Sequence, residues 1–295
     1  MLLKIFFCLL VAITRLQGTS CTMGDKMIKD ITIGQYYPTD SIIHKLDPRV
    51  KLLGTIAFIV SLFIINNYIG FALATVVLFT VVKISKVPFK FMFRGLKSIF
   101  MILLLTVIFN LFTPGEPLLK IGFITITIQG VHMAIQMGIR LILLILGSSL
   151  MTLTTTPNNL TDGLESLLNP LNKIKVPVHE ISMMMSIALR FIPILMEETD
   201  KIMKAQTARG ADFETGGLIK RAKSLIPLLV PLFVSAFRRA NDLAMAMEAR
   251  CYHGGEGRTK MKPLKYKLKD GISYLFICLF VVVIFLINYY VKKFL

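Results

Sequence analysis

The chain has 295 residues, 55% of them hydrophobic, and its 34 Lys and Arg against 17 Asp and Glu give a formal net charge of +17. This hydrophobic content excludes a soluble domain and predicts a multi-pass protein of the cell (cytoplasmic) membrane. In a membrane protein, excess positive charge reflects cytoplasmic loops and contact with anionic lipid of the bilayer, so we expect no nucleic-acid partner.

The first 26 residues differ from the rest of the chain. Lys4 is followed by an apolar run at 5–13, which resembles a signal-peptide core and is too short to span a bilayer. A cleaved signal would send the next segment outside, but basic residues precede the first long apolar run and favour the cytoplasm. We therefore expect residues 1–26 to be an N-terminal extension or a misassigned start, with Met23 or Met27 as the natural first residue.

Apolar runs along the chain predict about five transmembrane helices, at residues 50–65, 69–82, 98–112, 131–153 and 272–291. Asp47 is the expected N-cap of the first helix, with Pro48 at its first helical position. Basic residues between 83 and 97 place that loop in the cytoplasm. An external turn at 113–117 and a strand or hairpin at 121–129 separate the third and fourth helices.

Residues 154–270 form the predicted cytoplasmic domain. Thr156 begins a turn and cap before a short helix at 160–168, and two long amphipathic helices follow, the first ending at Gly210 and the second running over 218–250. Prolines interrupt and bend both long helices: Pro193 in the first, Pro227 and Pro231 in the second. The apolar stretch at 225–237 rises only about 20 Å, so we expect it to lie at the membrane face or against another membrane protein.

The predicted fold is thus an all-α integral membrane protein with about five transmembrane helices and a cytoplasmic domain of long, bent amphipathic helices. Its predicted domains are residues 27–153, with four transmembrane helices and a cytoplasmic lead-in, 154–270, and 271–295 with the last transmembrane helix. Arg140 falls within the fourth transmembrane helix. A structural, snorkelling role and a functional role both fit an arginine at that depth.

Each long amphipathic helix ends in an arginine between small neighbours. The triplets are Ala208-Arg209-Gly210 and, 41 positions later, Ala249-Arg250-Cys251. A guanidinium between small residues suits insertion into an acidic groove, because its planar fork makes two parallel hydrogen bonds to a carboxylate. The alternative interpretation is that both arginines merely cap helix C-termini.

Catalytic motifs are absent from the sequence. There is no Gly-x-x-x-x-Gly-Lys-Ser/Thr loop, no Gly-x-Ser-x-Gly elbow and no His-Glu-x-x-His helix. The four cysteines and four histidines lack metal-ligand spacing. We therefore expect that this chain is not an enzyme and binds no cofactor or metal itself.

Three motifs carry a resemblance to a known family: the two arginine triplets and Leu46-Asp47-Pro48-Arg49-Val50-Lys51 before the first helix. With them, the chain from about Met27 onward resembles the transmembrane T component of energy-coupling factor (ECF) transporters, which share a family with cobalt-transport membrane subunits. The resemblance implies that the arginine triplets occupy grooves of two ABC-type ATPase subunits. Those ATPase partners would bind ATP and Mg. Within the second triplet, Cys251 departs from the glycine, alanine or serine that is more usual at its position in this family.

The resemblance also implies a small substrate-binding membrane subunit, the S component, which captures a vitamin or metal ion. The bent coupling helices would form its seat, and methionine suits a surface that accepts different partners. Ordinary packing between the helices is the alternative role for these methionines. The expected interface residues are Met184, Met185, Pro193, Met196, Pro227, Pro231, Met245 and Met247.

A different class of function fits the sequence less well. A stand-alone secondary carrier would place Arg140 in its pathway, but inverted repeats and broken midplane helices are not evident. Such a carrier would transport substrate when purified alone.

Overall fold

The computed structural model describes residues 36–294 except 112–116, 122–123, 214–216, 218, 220–222 and 255–262. The predicted extension of residues 1–26 and most of the predicted external turn lie outside this part. The helices and strands with defined bounds are eight α-helices, one 3₁₀ helix and two short strands. These are α1 Pro48–Ile64, α2 Tyr68–Ser85, α3 Phe89–Leu111, β1 Pro117–Ile121, β2 Ile124–Thr127, α4 Ile128–Thr154, α5 Pro157–Leu168, the 3₁₀ helix Asn169–Ile174, α6 Val178–Ala208, α7 Ile226–Ala249 and α8 Leu268–Phe294.

Local capping chemistry sets several helix starts. The Asp47 carboxylate accepts a hydrogen bond from the Arg49 backbone N–H at 2.9 Å, and Pro48 opens α1 as predicted. Thr156 caps α5 in the same way, through a 3.3 Å hydrogen bond from the Asn159 N–H, and α5 therefore begins at Pro157 and not at the predicted residue 160. The predicted hairpin is present, with β1 and β2 antiparallel, but it begins earlier, at Pro117.

One predicted loop was wrong. The basic segment before the third transmembrane helix is not a loop, because α3 begins at Phe89, directly after Pro88, and takes in residues 89–97. Lysine and arginine are good helix formers, so positive charge marked the side of the membrane and not the end of a helix.

The long helices continue through their internal prolines, and the predicted bends stay predictions. α6 runs without a break for 31 residues through Pro193. α7 spans Ile226–Ala249, and residue 218, the predicted start of this helix, lies outside the described residues. Pro227 lies in the first turn of α7, where its missing N–H removes no intrahelical hydrogen bond. Of Pro227 and Pro231, only Pro231 lies in the interior of α7, beyond its first turn.

The chain divides into two compact units. In the first, residues 34–187 with 255–294, α4 packs against α1, α2 and α3, while α8 and α5 pack against α1. Its core is a cluster of buried aliphatic and aromatic side chains from α1, α2, α4 and α8, and includes Leu62, Phe71, Leu78, Leu143, Leu150 and Ile284. Gly147 permits a close approach of helices, because a Cβ there would lie 2.8 Å from the Phe58 ring.

The second compact unit, residues 188–254, contains the last 21 residues of α6 and all of α7. This division by packing is separate from the predicted division by membrane side, which stays a prediction.

Four helices in the described part of the chain are long and apolar enough to cross a membrane: α2, α4, α6 and α8. α1 has 17 residues and rises about 26 Å, slightly less than the roughly 30 Å hydrocarbon core. The apolar part of α3, Ile99–Leu111, is shorter. α6 meets the length and composition criteria although we predicted it to be cytoplasmic, because its first half is apolar on most sides.

Candidate functional site

The first arginine triplet forms the C-cap of α6. Gly210 takes the left-handed conformation at φ +88°, and its N–H donates to the Thr207 carbonyl at 2.9 Å. The Ala211 N–H then donates to the Gln206 carbonyl at 3.0 Å. These two hydrogen bonds are the Schellman pattern, which satisfies carbonyls that the helix end leaves without intrahelical partners. The Arg209 side chain is exposed beside this turn.

The second triplet repeats the same geometry at the end of α7. Cys251 is left-handed at φ +55°, with its N–H donating to the Glu248 carbonyl at 2.9 Å, and the Tyr252 N–H donates to the Met247 carbonyl at 3.1 Å. Arg250 is exposed. The two triplets therefore cap their helices through backbone, while among the described residues neither guanidinium has a hydrogen-bond or ion-pair partner.

Two side-chain contacts inside the second unit fix the relative direction of its helices. Gln206 Nε2, near the end of α6, lies 3.5 Å from the Pro227 carbonyl oxygen at the start of α7. Further back on α6, Glu198 accepts a charged hydrogen bond from Arg239 at 3.2 Å, further along α7. The helices are therefore antiparallel.

The antiparallel arrangement separates the two arginines. The end of α6 lies beside the start of α7, and the 23 residues from Pro227 to Arg250 rise about 34 Å. Arg209 and Arg250 thus lie at opposite ends of the helix pair, too far apart to enter one groove.

The predicted methionine and proline interface is only partly exposed. Met184, Met185 and Met245 are exposed, whereas Met196 and Met247 are half-buried. Pro193 and Pro227 are exposed, and Pro231 is half-buried. Met184 and Met185 belong to the first compact unit and the other six residues to the second.

A larger exposed apolar surface lies on α7, within the stretch 225–237. Six side chains at helical spacing are 44–68% exposed, and we call them the α7 stripe: Ile226, Leu229, Val230, Phe233, Val234 and Phe237. Their three- and four-residue spacing was visible in the sequence and predicted a helix at the membrane face or against another membrane protein. The predicted interface residues were prolines and methionines, and none of these six side chains was among them.

Arg140 has a structural role. Its Nη2 donates to the Ile65 carbonyl at 2.8 Å, and Gln136 Nε2 donates to the Asn66 carbonyl at 3.2 Å. From α8, Asn288 Nδ2 donates to the Ile64 carbonyl at 3.1 Å. These side chains from α4 and α8 donate hydrogen bonds to three carbonyls where α1 ends. Carbonyls at a helix C-terminus lack intrahelical partners and carry partial negative charge, so hydrogen-bond donors are favourable there. The geometry gives no support to Arg140 as a carrier pathway residue.

The Asp47 motif belongs to a buried polar clamp that joins two helix starts. Asp270, which is 2% exposed, accepts from the Asp47 N–H at 3.0 Å and from the Lys267 N–H at 2.7 Å. Arg49 lies over the Tyr266 ring at 4.9 Å, a cation–π contact. Sequence reasoning missed Asp270, although an acidic residue in the first turn of a helix is a capping signal.

The polar lead-in before α1 is fixed to the end of α4. Lys51 Nζ donates to the carbonyls of His44 at 3.1 Å and Thr154 at 3.0 Å. His44 Nε2 lies 3.0 Å from the Tyr37 carbonyl, so this nitrogen carries the hydrogen, and Nδ1 lies 2.7 Å from the Ser41 hydroxyl. Burial, followed by the charge of Lys51, lowers the pKa of His44 below its ordinary value.

The fold and these features define a polytopic helical membrane protein with two exposed arginines at helix ends. The family described as CbiQ, cobalt transport protein, matches residues 39–261. The energy-coupling factor transporter transmembrane protein EcfT of Clostridium kluyveri is 58% identical over 84% of this chain and 93% of its own length. The EcfT proteins of Acidaminococcus fermentans and Bacillus subtilis are 51% and 50% identical, covering 88% and 83% of this chain and 98% and 93% of their own. The chain therefore belongs to the CbiQ family and, within it, to the transmembrane components of energy-coupling factor transporters.

Proposed function

We propose that this membrane component couples ATP hydrolysis by two separate ABC-type ATPase subunits to a small substrate-binding membrane subunit that takes up a vitamin or metal ion. ATP and Mg bind the ATPases and not this chain, which does no catalysis. Residues 154–270 face the cytoplasm, where ATP is available. Arg209 and Arg250 each enter an acidic groove on one ATPase.

The observation that carries the proposal is the pair of equivalent helix ends. Both arginines are exposed, have no partner among the described residues and lie at the C-cap position of a Schellman turn. A separation of about 34 Å along α7 suits two protein subunits and exceeds what a single ligand site needs. Small neighbours at Ala208, Gly210, Ala249 and Cys251 leave room for the walls of a groove.

The α7 stripe provides the seat for the substrate-binding subunit. A contiguous apolar surface on an amphipathic helix favours a membrane-embedded partner or lipid. The exposed Met245 extends this surface toward the end of α7. Met184 and Met185 provide a second adaptable patch at the start of α6.

The test is retention of the ATPases by tagged, full-length chain after Arg209→Ala, Arg250→Ala and the double substitution. Leaving an acidic groove partner unpaired costs about 2–5 kcal/mol, so each single variant should bind the ATPase pair about 30-fold more weakly or worse.

Arg190→Ala on α6 and Arg238→Ala on α7 are matched controls, because both remove an exposed arginine from the same helices away from the ends. Each should change ATPase binding by about twofold or less. Retention of both ATPases by the double variant at the level of these controls would overturn the proposal.

A further inference from the structure

The start of α6 is held by one carboxylate from α5. Glu165 accepts a 2.6 Å hydrogen bond from the Ser182 hydroxyl and lies 3.1 Å from His179 Nδ1. Ser182 is 6% exposed, and the Glu165 side chain is 15% exposed. A carboxylate at this position also interacts favourably with the positive end of the α6 dipole.

A second contact fixes the same helix start. The Val178 N–H, at the first residue of α6, donates to Asn172 Oδ1 at 3.3 Å, and Asn172 Nδ2 donates to Asn169 Oδ1 at 2.8 Å. The first turn of α6 is therefore joined by side chains to both α5 and the 3₁₀ helix that follows α5.

α5 is in turn packed directly against the start of α1. A Cβ at Gly163 would lie 3.1 Å from the Pro48 Cβ and 3.3 Å from the Pro48 carbonyl carbon, so only glycine allows this approach without a shift. The Asp270 clamp holds the same end of α1 to α8. A continuous series of packed and hydrogen-bonded contacts thus leads from the first turn of α6 to α1 and α8.

α6 is a helix of 31 residues, with Glu165 against its first turns, and Arg209 directly follows its last residue. A helix passes a displacement of one end to its neighbours only if its other end is held in a defined place. We infer that Glu165 is a positioning residue for energy coupling: it holds the start of α6, so that a nucleotide-driven change at Arg209 reaches α5 and α1. This inference rests on the proposed function.

Hydrogen–deuterium exchange on the complete complex with its ATPases and substrate-binding subunit tests the inference, with and without the ATP analogue AMP-PNP. In the natural sequence, AMP-PNP should change exchange at residues 205–211 and also at 157–168. Glu165→Gln should leave the change at 205–211 intact and reduce the change at 157–168 about fivefold or more, the lower end of typical coupling between sites.

Ser182→Ala removes the 2.6 Å hydrogen bond without altering charge and should give the same loss in weaker form. Glu197→Gln removes a carboxylate from an exposed position on α6 and should behave like the natural sequence. A merely structural role for Glu165 would raise exchange at 157–168 equally with and without AMP-PNP.

Two results with Glu165→Gln would overturn the inference: an unchanged nucleotide response at 157–168, or a rise in exchange at 157–168 that is equal with and without AMP-PNP. The absence of a response at 157–168 in the natural sequence would also overturn it. So would failure of both Glu165→Gln and Ser182→Ala to bind the ATPases. Absence of a response at 205–211 in the natural sequence, or no ATPase binding at all, would instead contradict the proposed function.

Discussion

Cys251 occupies a backbone conformation that its own side chain disfavours. At φ +55° a residue with a Cβ loses about 1–2 kcal/mol relative to the right-handed region, whereas the equivalent Gly210 at φ +88° does not. The two helix ends have the same hydrogen bonds but differ in backbone strain. The α7 end is the less stable of the two for this reason.

Cys251→Gly should therefore stabilise the end of α7. Relief of the left-handed strain, less the greater freedom of glycine in the unfolded chain, leaves about 0.5–1 kcal/mol. Amide exchange at the Cys251 and Tyr252 N–H groups should slow by about two- to fivefold. Cys251→Ala is the control, since it removes the thiol and keeps the Cβ, and should leave exchange unchanged. Equal slowing in both variants would show that the thiol and not the backbone is responsible.

His44 makes the lead-in sensitive to pH. Its pKa is lowered in the folded chain, so the neutral form is favoured on folding. The stability it contributes is fully present above its ordinary pKa of about 6.5 and is lost as pH falls below that value. Thermal unfolding of the purified chain between pH 8 and pH 5 should show a drop that His44→Gln lacks. An identical drop in that variant would contradict this role.

Between the helices, the hydrogen bond from the Asp47 N–H to the Asp270 carboxylate joins two residues that are far apart in sequence. The Asp270 carboxylate and the Asp47 N–H are 223 positions apart, and together they join the starts of α8 and α1. Both hydrogen bonds involve a charged acceptor in a buried place, where each contributes about 1.5–3 kcal/mol. We expect this clamp to hold α8 to α1.

Asp270→Asn should lower the free energy of unfolding by about 1.5–3 kcal/mol, because the amide keeps one acceptor oxygen and loses the charge and the second acceptor. Thermal or denaturant unfolding in detergent measures this loss. Asp242→Asn, at an exposed position of α7, should stay within about 0.5 kcal/mol of the natural sequence. Comparable effects of the two substitutions would mean that Asp270 has no special role.

Helix ends were predictable where their signals are local. Asp47-Pro48 and Thr156-Pro157 cap α1 and α5 as the sequence indicated, and Gly210 ends α6. Pro193 does not end α6, because a helix tolerates one missing N–H when the rest of its hydrogen bonds are kept. The extra length of α3 was missed because basic residues are compatible with both loops and helices.

At the scale of the whole molecule, the two arginine triplets were predictable because each is a short motif at a helix end. Their separation was not, since it depends on the side-chain pairs of Glu198 with Arg239 and Gln206 with Pro227. Glu165 was missed for a related reason: its partners lie on another helix, and one glutamate on an amphipathic helix has no distinguishing pattern. Contacts between different helices depend on the three-dimensional structure and have no local sequence pattern that predicts them.

The account of energy coupling depends on what the two helix ends touch in the assembled transporter. Photocrosslinking measures this directly, with benzoylphenylalanine placed at Thr207 and Glu248, two residues before each arginine, and at Phe233 on the α7 stripe. Residues 207 and 248 should crosslink to ATPase subunits, and residue 233 to a membrane subunit or lipid. Crosslinks from residue 233 to the ATPases, or none from residues 207 and 248, would contradict the claim that these arginines are the ATPase contacts.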